Sequence, residues 1–319
     1  MPDEELQLSE SRSYWLHALT PVHVGSGKGF GFIDLPIARE KVSNFPLIPG
    51  SAIKGVLSDQ YDTDGSFRQI SSSNANEMNF RRAFGSGGVG ADNAGSIVFT
   101  DAHLICMPLR SLYGSFAWCT CPMVLRRLNR DLEHVARQAT GLDVPHVSHA
   151  VDASTHSLLV PALLHQARSS LVDGDDLAYF DDFDFHAEEN SSVAGWAELI
   201  ASRVLDQSWY EIFAQRFAVI SDDVFAFFAE MSTQVDARIR IDDNTKTVSP
   251  GALWYEESLP AESILSGIAW CGPIYGNGNR HDANARSALL NNYCHHPLTL
   301  QIGGKASVGR GQMNVRFNH

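Results

Sequence analysis

No stretch of about 18 consecutive apolar residues occurs in this 319-residue chain, which argues against a membrane-spanning helix. The first twelve residues, MPDEELQLSESR, lack both the basic and apolar pattern of a secretory signal and the arginine-rich pattern of a transit peptide. We therefore predict that residues 1–12 form a disordered acidic tail, that the protein has no membrane partner, and that it is cytoplasmic.

Cysteine is scarce, with five residues and no C-x-x-C pair. An odd number without paired spacing gives no support to a disulfide framework or to a zinc site with its usual ligands. Reduced thiols in a cytosolic protein are the expectation.

Positive charge is also in short supply, because 24 lysines and arginines face 37 acids and the net charge is −13. Nucleic-acid-binding domains are usually basic, so this balance opposes such a function unless cations gather on one face. The candidates for that face are Lys28, Arg39, Lys41, Lys54, Arg110, Lys305 and Arg310.

What the chain does contain is enough apolar sequence, 44%, to bury a substantial core. Its patterns follow the order strand–helix–strand–strand, and further helices and strands follow. This order predicts an α+β fold with a ferredoxin-like, RRM-like core, a common RNA platform. Large insertions are expected near 62–95, which has the composition of a long flexible loop, and near 143–210.

Residues 20–55 hold the densest group of chemically useful features. Glycine recurs at positions 25, 27, 29 and 31, so main-chain N–H groups can approach a ligand without Cβ obstruction. A helix that opens near Ser51 adds unpaired N–H donors, and both features suit a phosphate. Neither the P-loop pattern nor the dinucleotide G-x-G-x-x-G pattern fits, so a glycine-rich structural hairpin stays open as the alternative.

A second glycine-rich loop, GGKASVGRG, occupies residues 303–311 and interleaves main-chain donors with Lys305 and Arg310. Successive N–H groups in such turns form anion-binding nests. The alternative is a structural turn before the last strand.

Several segments in order resemble one known family: IDLPIAREK (33–41), IPGSAIKG (48–55), MPLRSLYGSFAW (107–118), GALWYEESLP (251–260) and LQIGGKASVGRG (300–311). They are similar to the backbone subunit of the Cmr-type, or type III-B, CRISPR effector complex, in the RAMP superfamily. The resemblance implies a single RAMP domain over 13–319 with a palm, fingers and a thumb hairpin. The thumb is either 234–258 or part of 145–190.

The resemblance also implies a metal-dependent endoribonuclease, with Asp34 as the residue that cuts target RNA and binds a divalent metal, Mg²⁺ or Mn²⁺. His23 would orient the phosphate or assist proton transfer, and Lys54 would offset charge on the intermediate. Glu256 lies in a segment that relatives use near the active site. A turn-stabilising carboxylate is the alternative role for Asp34.

The same resemblance assigns RNA contacts to both glycine loops and to the cations around them. Phosphate contacts give affinity without sequence information, as suits a protein that must hold any guide. The predicted RNA-binding residues are Gly25, Gly27, Lys28, Arg39, Lys41, Ser51, Arg110, Gly303, Gly304, Lys305, Gly309 and Arg310.

The implied partners are the guide RNA, a complementary target RNA, further copies of the chain, and other Cmr subunits that include a polymerase-like large subunit. Three alternatives stay open from the sequence. The chain could be a guide-binding scaffold without cleavage, the equivalent subunit of a Csm-type (type III-A) complex, or a metabolic enzyme that binds a small phosphorylated ligand.

Overall fold

The structure is a computed structural model, and it describes residues 11–27, 29, 31–62, 75–85, 94–147, 155–163, 168–274 and 282–318. Across these ranges, no helix is both long and apolar enough to cross a membrane. The predicted acidic tail lies almost wholly outside the described residues. Its boundary was wrong at one end, because Ser11 and Arg12 are buried residues of the first strand.

Fourteen strands and seven α-helices are described, as the predicted α+β class requires. The strands are β1 (Ser11–Ala18), β2 (Leu47–Ile48), β3 (Ile97–Phe99), β4 (Ala102–Arg110), β5 (Phe116–Thr120), β6 (Thr155–Pro161), β7 (Leu177–Phe180), β8 (Phe183–Asn190), β9 (Phe217–Ile220), β10 (Gln234–Ile241), β11 (Val248–Ser258), β12 (Ile264–Cys271), β13 (Leu298–Gln301) and β14 (Gln312–Asn318). The helices are α1 (Gly50–Tyr61), α2 (Ala75–Phe84), α3 (Pro122–Ala136), α4 (Ser191–Val204), α5 (Tyr210–Gln215), α6 (Asp222–Met231) and α7 (Ala283–Tyr293).

The main sheet is organised around β1, which is buried along its whole length. It lies between β12 and β14, antiparallel to both, and the sheet continues through β4, β5, β9, β6, β8 and β7. Tyr14, Trp15 and Leu16 are fully buried there, so both faces of β1 face the core. Because β14 neighbours β1, the loop that precedes β14 lies beside the loop that follows β1.

Helix α3 begins and ends at residues whose conformational preferences suit those positions. Pro122 occupies its first turn, where a missing N–H costs nothing, and Arg137 closes it in the left-handed conformation. Val124, Leu125 and Leu128 are buried at helical spacing. Helix α6 is capped by Ser221, whose hydroxyl accepts a hydrogen bond from the Val224 N–H.

Strands β10 and β11 form a hairpin that pairs with no other described strand. The segment 145–190 behaves differently, because its described strands β6, β7 and β8 belong to the main sheet. Of the two candidates for a thumb hairpin, 234–258 is thus the one that stands apart. The predicted loop at 62–95 was wrong in part, since α2 lies within it, and much of that range falls outside the described residues.

A partly buried carboxylate, Glu40, connects the segment after the first glycine loop to the core. Glu40 accepts two hydrogen bonds from Arg127, at 2.8 and 2.9 Å, and a third from His103 Nδ1 at 2.6 Å. Burial raises the pKa of Glu40, but the hydrogen bonds from His103, Arg127 and Ser43 outweigh it, and the pKa falls to about 2. The charged form is therefore the one that the fold stabilises.

We expect this carboxylate to make the fold acid-sensitive. A depressed pKa adds stability above the unfolded-state value, about 4.5, and that stability is lost as the pH falls towards about 2. Comparison of Glu40→Gln with the parent by denaturant titration should show a difference on the order of 3 kcal/mol at pH 7. The difference should shrink below pH 4. The exposed Glu188→Gln should show no such trend, and a pH-independent difference for Glu40→Gln would contradict the assignment.

Candidate functional site

The first glycine loop is the tip of a short antiparallel ladder. The Ala38 N–H donates to Val24, the Ser26 N–H donates to Pro36, and Gly25 pairs with Ile37. Its return arm then runs parallel to the base of β11, where Leu35 pairs with Glu256. The loop is thus attached to the hairpin by main-chain bonds, and Lys28 lies outside the described residues.

Asp34 sits on that return arm with its side chain exposed. Its Oδ2 accepts the Tyr255 N–H at 2.8 Å, while Oδ1 accepts from no other described residue. Two main-chain bonds fix the position of the carboxylate, from the Leu35 N–H to the Tyr255 carbonyl at 3.1 Å and from the Glu257 N–H to the Leu35 carbonyl at 3.0 Å. One carboxylate oxygen of Asp34, Oδ2, is therefore fixed by a hydrogen bond, and the other, Oδ1, is available to a ligand.

A metal at Asp34 would have few protein ligands. No group of three His, Cys, Asp or Glu side chains gathers as a metal site within the described ranges. The open Oδ1 is one hard oxygen ligand, which suits Mg²⁺ or Mn²⁺ held mainly by water and phosphate oxygens. The donor set fits a transient metal and does not fit a permanent structural one.

His23 lies where the two glycine-rich loops meet. Its Nδ1–H donates to the Glu257 carbonyl at 2.6 Å, since a carbonyl can only accept. That tautomer leaves Nε2 as an acceptor, and a Cβ placed on Gly25 would lie 3.2 Å from it. The imidazole is buried and oriented, and an acceptor at Nε2 suits the predicted role in proton transfer, whereas orientation of a phosphate oxygen would need a proton on Nε2.

The second glycine loop closes directly onto His23. The Gly304 N–H donates to the His23 carbonyl at 2.8 Å. A Cβ on Gly303 would lie only 2.3 Å from that same carbonyl oxygen, and the φ of Gly303 is +85°. The N–H groups of Lys305, Ala306 and Ser307 donate to none of the described residues, so they form an open nest beside the first loop.

We expect Gly303→Ala to disrupt this junction. The added methyl meets a main-chain oxygen and the positive φ is unfavourable, so the free energy of unfolding should fall by about 2–4 kcal/mol. Gly304→Ala is the matched control, because its Cβ would have 3.7 Å to the nearest His23 atom. Thermal melts of the two variants measure the difference, and equal melting temperatures would contradict the geometry.

Two of the predicted RNA-binding cations, Lys305 and Arg310, form ion pairs with acids of the hairpin base. Lys305 Nζ lies 2.6 Å from Glu256 Oε1, and Arg310 donates to Ser258 Oγ at 2.6 Å and to Asp236. Arg310 is buried, so its guanidinium is not an open phosphate ligand. The guanidinium of Arg310 is thus withdrawn from the surface of the loop, which still presents main-chain donors.

Glu256, a predicted catalytic residue, is held by several hydrogen-bond and ion-pair partners at the hairpin base. It is buried, and it accepts from Lys305 and from Trp254 Nε1 at 2.7 Å, with Arg238 Nε 3.4 Å away. Burial raises the pKa of Glu256, but the hydrogen bond from Lys305 and the nearby charges outweigh it, so the pKa is lowered. The carboxylate stays ionised and joins the glycine loop to the hairpin.

Arg39 is also committed to the fold and not to an open surface. It donates to Glu257 Oε1 at 2.5 Å, to the Asn44 carbonyl at 2.8 Å and to the Ala229 carbonyl at 3.0 Å. Its side chain is only 15% exposed. Because its donors already have internal acceptors, the structure shows no open guanidinium at Arg39, and its contact with RNA stays a prediction.

Lys54 and Ser51, both on α1, are not brought to Asp34 by any contact. Lys54 Nζ donates to the Ile97 carbonyl at 2.7 Å, beside β3. At the start of α1, the Gly50 N–H donates to the Asp101 carboxylate at 2.9 Å, so an acid already occupies part of the predicted phosphate site. Ser51 itself is exposed.

The other two predicted cations differ in their surroundings. Lys41 is exposed in the turn after Glu40, and it remains available to a polyanion. Arg110 lies at the exposed end of β4 in a cleft with Asp181, Asp182 and Asp184. Burial raises the pKa of Asp181 and the charge of Arg110 opposes that shift. The acidic cleft does not favour the predicted RNA contact of Arg110.

Sequence reasoning missed the acids and cations of the hairpin base. Asp236 and Arg238 alternate in QVDARIRID, a period-two pattern that puts them on one face of β10. That alternation could have indicated a row of charged side chains on one face of β10, of which Asp236 contacts Arg310.

Residues 15–314 match the family model described as "RAMP superfamily". The chain therefore belongs to the RAMP superfamily. More particularly, it is 32% identical over 301 residues to "CRISPR system Cmr endoribonuclease Cmr4" of Pyrococcus furiosus, covering 94% of this chain and 93% of that protein. The resemblance inferred from the ordered sequence segments is confirmed.

Two solved structures share the fold. "Crystal structure of oligomeric Cmr4 from Pyrococcus furiosus" superposes with a TM-score of 0.69 at 24% identity, covering 97% of this chain and 98% of that one. "Cryo-EM structure of the Type III-B Cmr-beta bound to cognate target RNA" gives 0.68 at 19% identity and covers 96% of each chain. The predicted RAMP-type α+β fold is thereby confirmed.

Proposed function

We propose that this chain is a repeated backbone subunit of a type III-B CRISPR ribonucleoprotein, which holds the guide RNA and cuts the paired target RNA. The observation that carries the proposal is the junction at His23. There the loop with unpaired N–H groups and the exposed carboxylate of Asp34 are both attached by hydrogen bonds to the base of β11, the loop through His23. The similarity to the Pyrococcus furiosus endoribonuclease supports the same conclusion. Its partners are then the guide, the target, copies of itself and other Cmr subunits, including a polymerase-like large subunit.

The guide is held through main-chain amides more than through side-chain cations. The N–H groups of Lys305, Ala306 and Ser307 have no acceptor among the described residues, while Lys305, Arg310 and Arg39 neutralise internal acids. Amides bind phosphate without reading bases, so any guide sequence is accepted. This also reconciles RNA binding with a net charge of −13.

Cutting uses the nucleophile that RNA itself carries, the 2′-OH next to the scissile phosphate. Asp34 Oδ1 is the open acceptor that takes the 2′-OH proton directly or through a bound water. The bond from 2′-O to phosphorus forms as the bond to the 5′-O of the next nucleotide breaks. His23 keeps Nε2 as an acceptor that can assist removal of the 2′-OH proton, and its Nδ1–H bond to the Glu257 carbonyl holds the ring in place.

A divalent metal, Mg²⁺ or Mn²⁺, would supply charge stabilisation for the phosphate, and Asp34 is the residue that would hold it. Asp34 offers a single open oxygen, so binding should be weak without RNA. We expect the ion to bind measurably only when phosphate oxygens are also present.

The proposal is tested on the complex purified from cells that express the chain with its companion subunits. Co-purifying RNA, target fragments at one regular interval and Cmr-type companions are the expected results. A nucleic-acid-free protein would favour a metabolic enzyme for a small phosphorylated ligand. Csm-type companions would reassign it to type III-A, and guide binding without fragments would make it a scaffold.

A further inference from the structure

Phe32 is one of the most exposed large apolar side chains in the described protein, with 74% of its surface accessible. A single exposed apolar residue needs no explanation by itself. Phe32, however, lies two residues before Asp34, and its ring meets Tyr255 edge to face with centroids 6.3 Å apart at 80°. The exposed ring therefore has a fixed neighbour within the site.

The same two segments that carry this aromatic pair also hold the carboxylate. Tyr255 donates its N–H to Asp34 Oδ2 and accepts the Leu35 N–H, so the pair cannot move far relative to Asp34. Because an edge-to-face contact uses the edge of one ring, an aromatic face remains free for a third ring. Tyr255 is itself 37% exposed, so the pair is open to solvent.

A nucleobase is the planar group that must come close to this acid if the acid cuts RNA. We propose that Phe32, supported by Tyr255, stacks on the target base next to the scissile phosphate at which Asp34 assists cleavage. Phe32 is then a positioning residue that aligns the 2′-OH with the carboxylate. The inference rests on the proposed function, and it names which part of the substrate the site recognises.

Stacking suits this site better than a hydrogen-bonding contact would. Every base has a π-face, so an aromatic ring accepts any target sequence, as a subunit that serves any guide requires. By the usual range for one base stacked on one aromatic ring, we expect removal of the ring to cost about 5- to 150-fold. This reduction should fall on the cleavage rate more than on target affinity, since many other nucleotides hold the target.

The experiment uses the assembled complex with Phe32→Ala, Phe32→Leu and Phe32→Trp, and measures single-turnover cleavage of the target. Phe32→Ala and Phe32→Leu should both be slow, and Phe32→Trp should restore the rate, because a π-face and not bulk is required. Two further targets, each with one abasic nucleotide on one side of the cut, test whether a target base is the stacking partner of Phe32. At one of these positions the parent should slow to the Phe32→Ala rate, and Phe32→Ala should slow no further.

Several outcomes would overturn the inference. Full activity of Phe32→Leu would show that no aromatic ring is needed. If Phe32→Ala slowed the cutting of intact and abasic targets by the same factor, the base would not be the partner of the ring. If Phe32→Ala instead reduced the number of copies per complex, the ring would belong to a contact between subunits. The matched control is Leu112→Ala on the β4–β5 turn, equally exposed at 72%, which should leave cutting unchanged.

These failures are distinct from failure of the proposed function. If the parent complex does not cut, or if a variant without the Asp34 charge cuts as well as the parent, the proposed function itself is wrong. Normal cutting by Phe32→Ala beside an inactive Asp34 variant would overturn only the stacking role.

Discussion

Replacement of Asp34 with asparagine should reduce target cutting by about 10²- to 10⁴-fold and leave guide and target binding intact. Asparagine has the same shape and keeps an oxygen that can accept the Tyr255 N–H, now 2.8 Å from Oδ2. The fold and the return arm should therefore be unchanged. What disappears is the negative charge on the open oxygen, which accepts a proton or holds a metal.

The measurement is single-turnover cleavage by the assembled complex, with target affinity and melting temperature determined for the same sample. Glu188→Gln removes an equally exposed charge from β8 and should cut like the parent. A chelator should bring the parent close to the Asp34→Asn rate and should change the variant little. Undiminished cutting by Asp34→Asn would leave the carboxylate as a structural part of the turn.

Replacement of Arg310 with methionine should cause the largest drop in stability among the predicted RNA-binding cations. Methionine fills similar space but leaves Ser258 Oγ and Asp236 without the guanidinium. Removal of one partner of a buried pair costs about 3–5 kcal/mol, and because Asp236 keeps 31% exposure we expect about 2–3 kcal/mol. Thermal or denaturant unfolding measures this directly.

The same variant separates a structural arginine from a phosphate ligand. If Arg310 does not bind RNA, the salt dependence of guide affinity should be the same for parent and Arg310→Met below the melting temperature of both. If Arg310 neutralises one phosphate, the variant should instead show a slope that is shallower by about 0.7. Arg240→Met is the matched control, an exposed arginine on β10 that should leave the free energy of unfolding nearly unchanged.

The parts of the site that depend on local chemistry could be predicted from the sequence. Spaced glycines predict a loop with accessible N–H groups. Because Asp34 lies next to such a loop, its side chain is expected to be exposed. The alternation in QVDARIRID is also a local pattern, and it indicates the strand that forms one arm of the hairpin. Each of these inferences needs only the conformational freedom or the periodicity of neighbouring residues.

The roles of the cations could not be predicted, because they depend on partners far away in the chain. Arg39 meets Glu257 across 218 positions, and Arg310 meets Asp236 across 74. Nothing in the spacing of one chain reveals whether a cation faces such an acid or faces water. The acids at the hairpin base form ion pairs with the cations that lie nearest to them. The side chains of Arg39, Lys305 and Arg310 therefore contact these acids.

The open amide nest at 305–307 has a consequence for how the protein tolerates change. Every amino acid except proline carries the same amide, so most replacements in that loop would keep its hold on a polyanion. Sensitivity should instead concentrate where backbone shape is set, at Gly303, whose φ is positive and whose Cβ position is blocked. A surface of this kind can vary its side chains freely while its ligand stays the same.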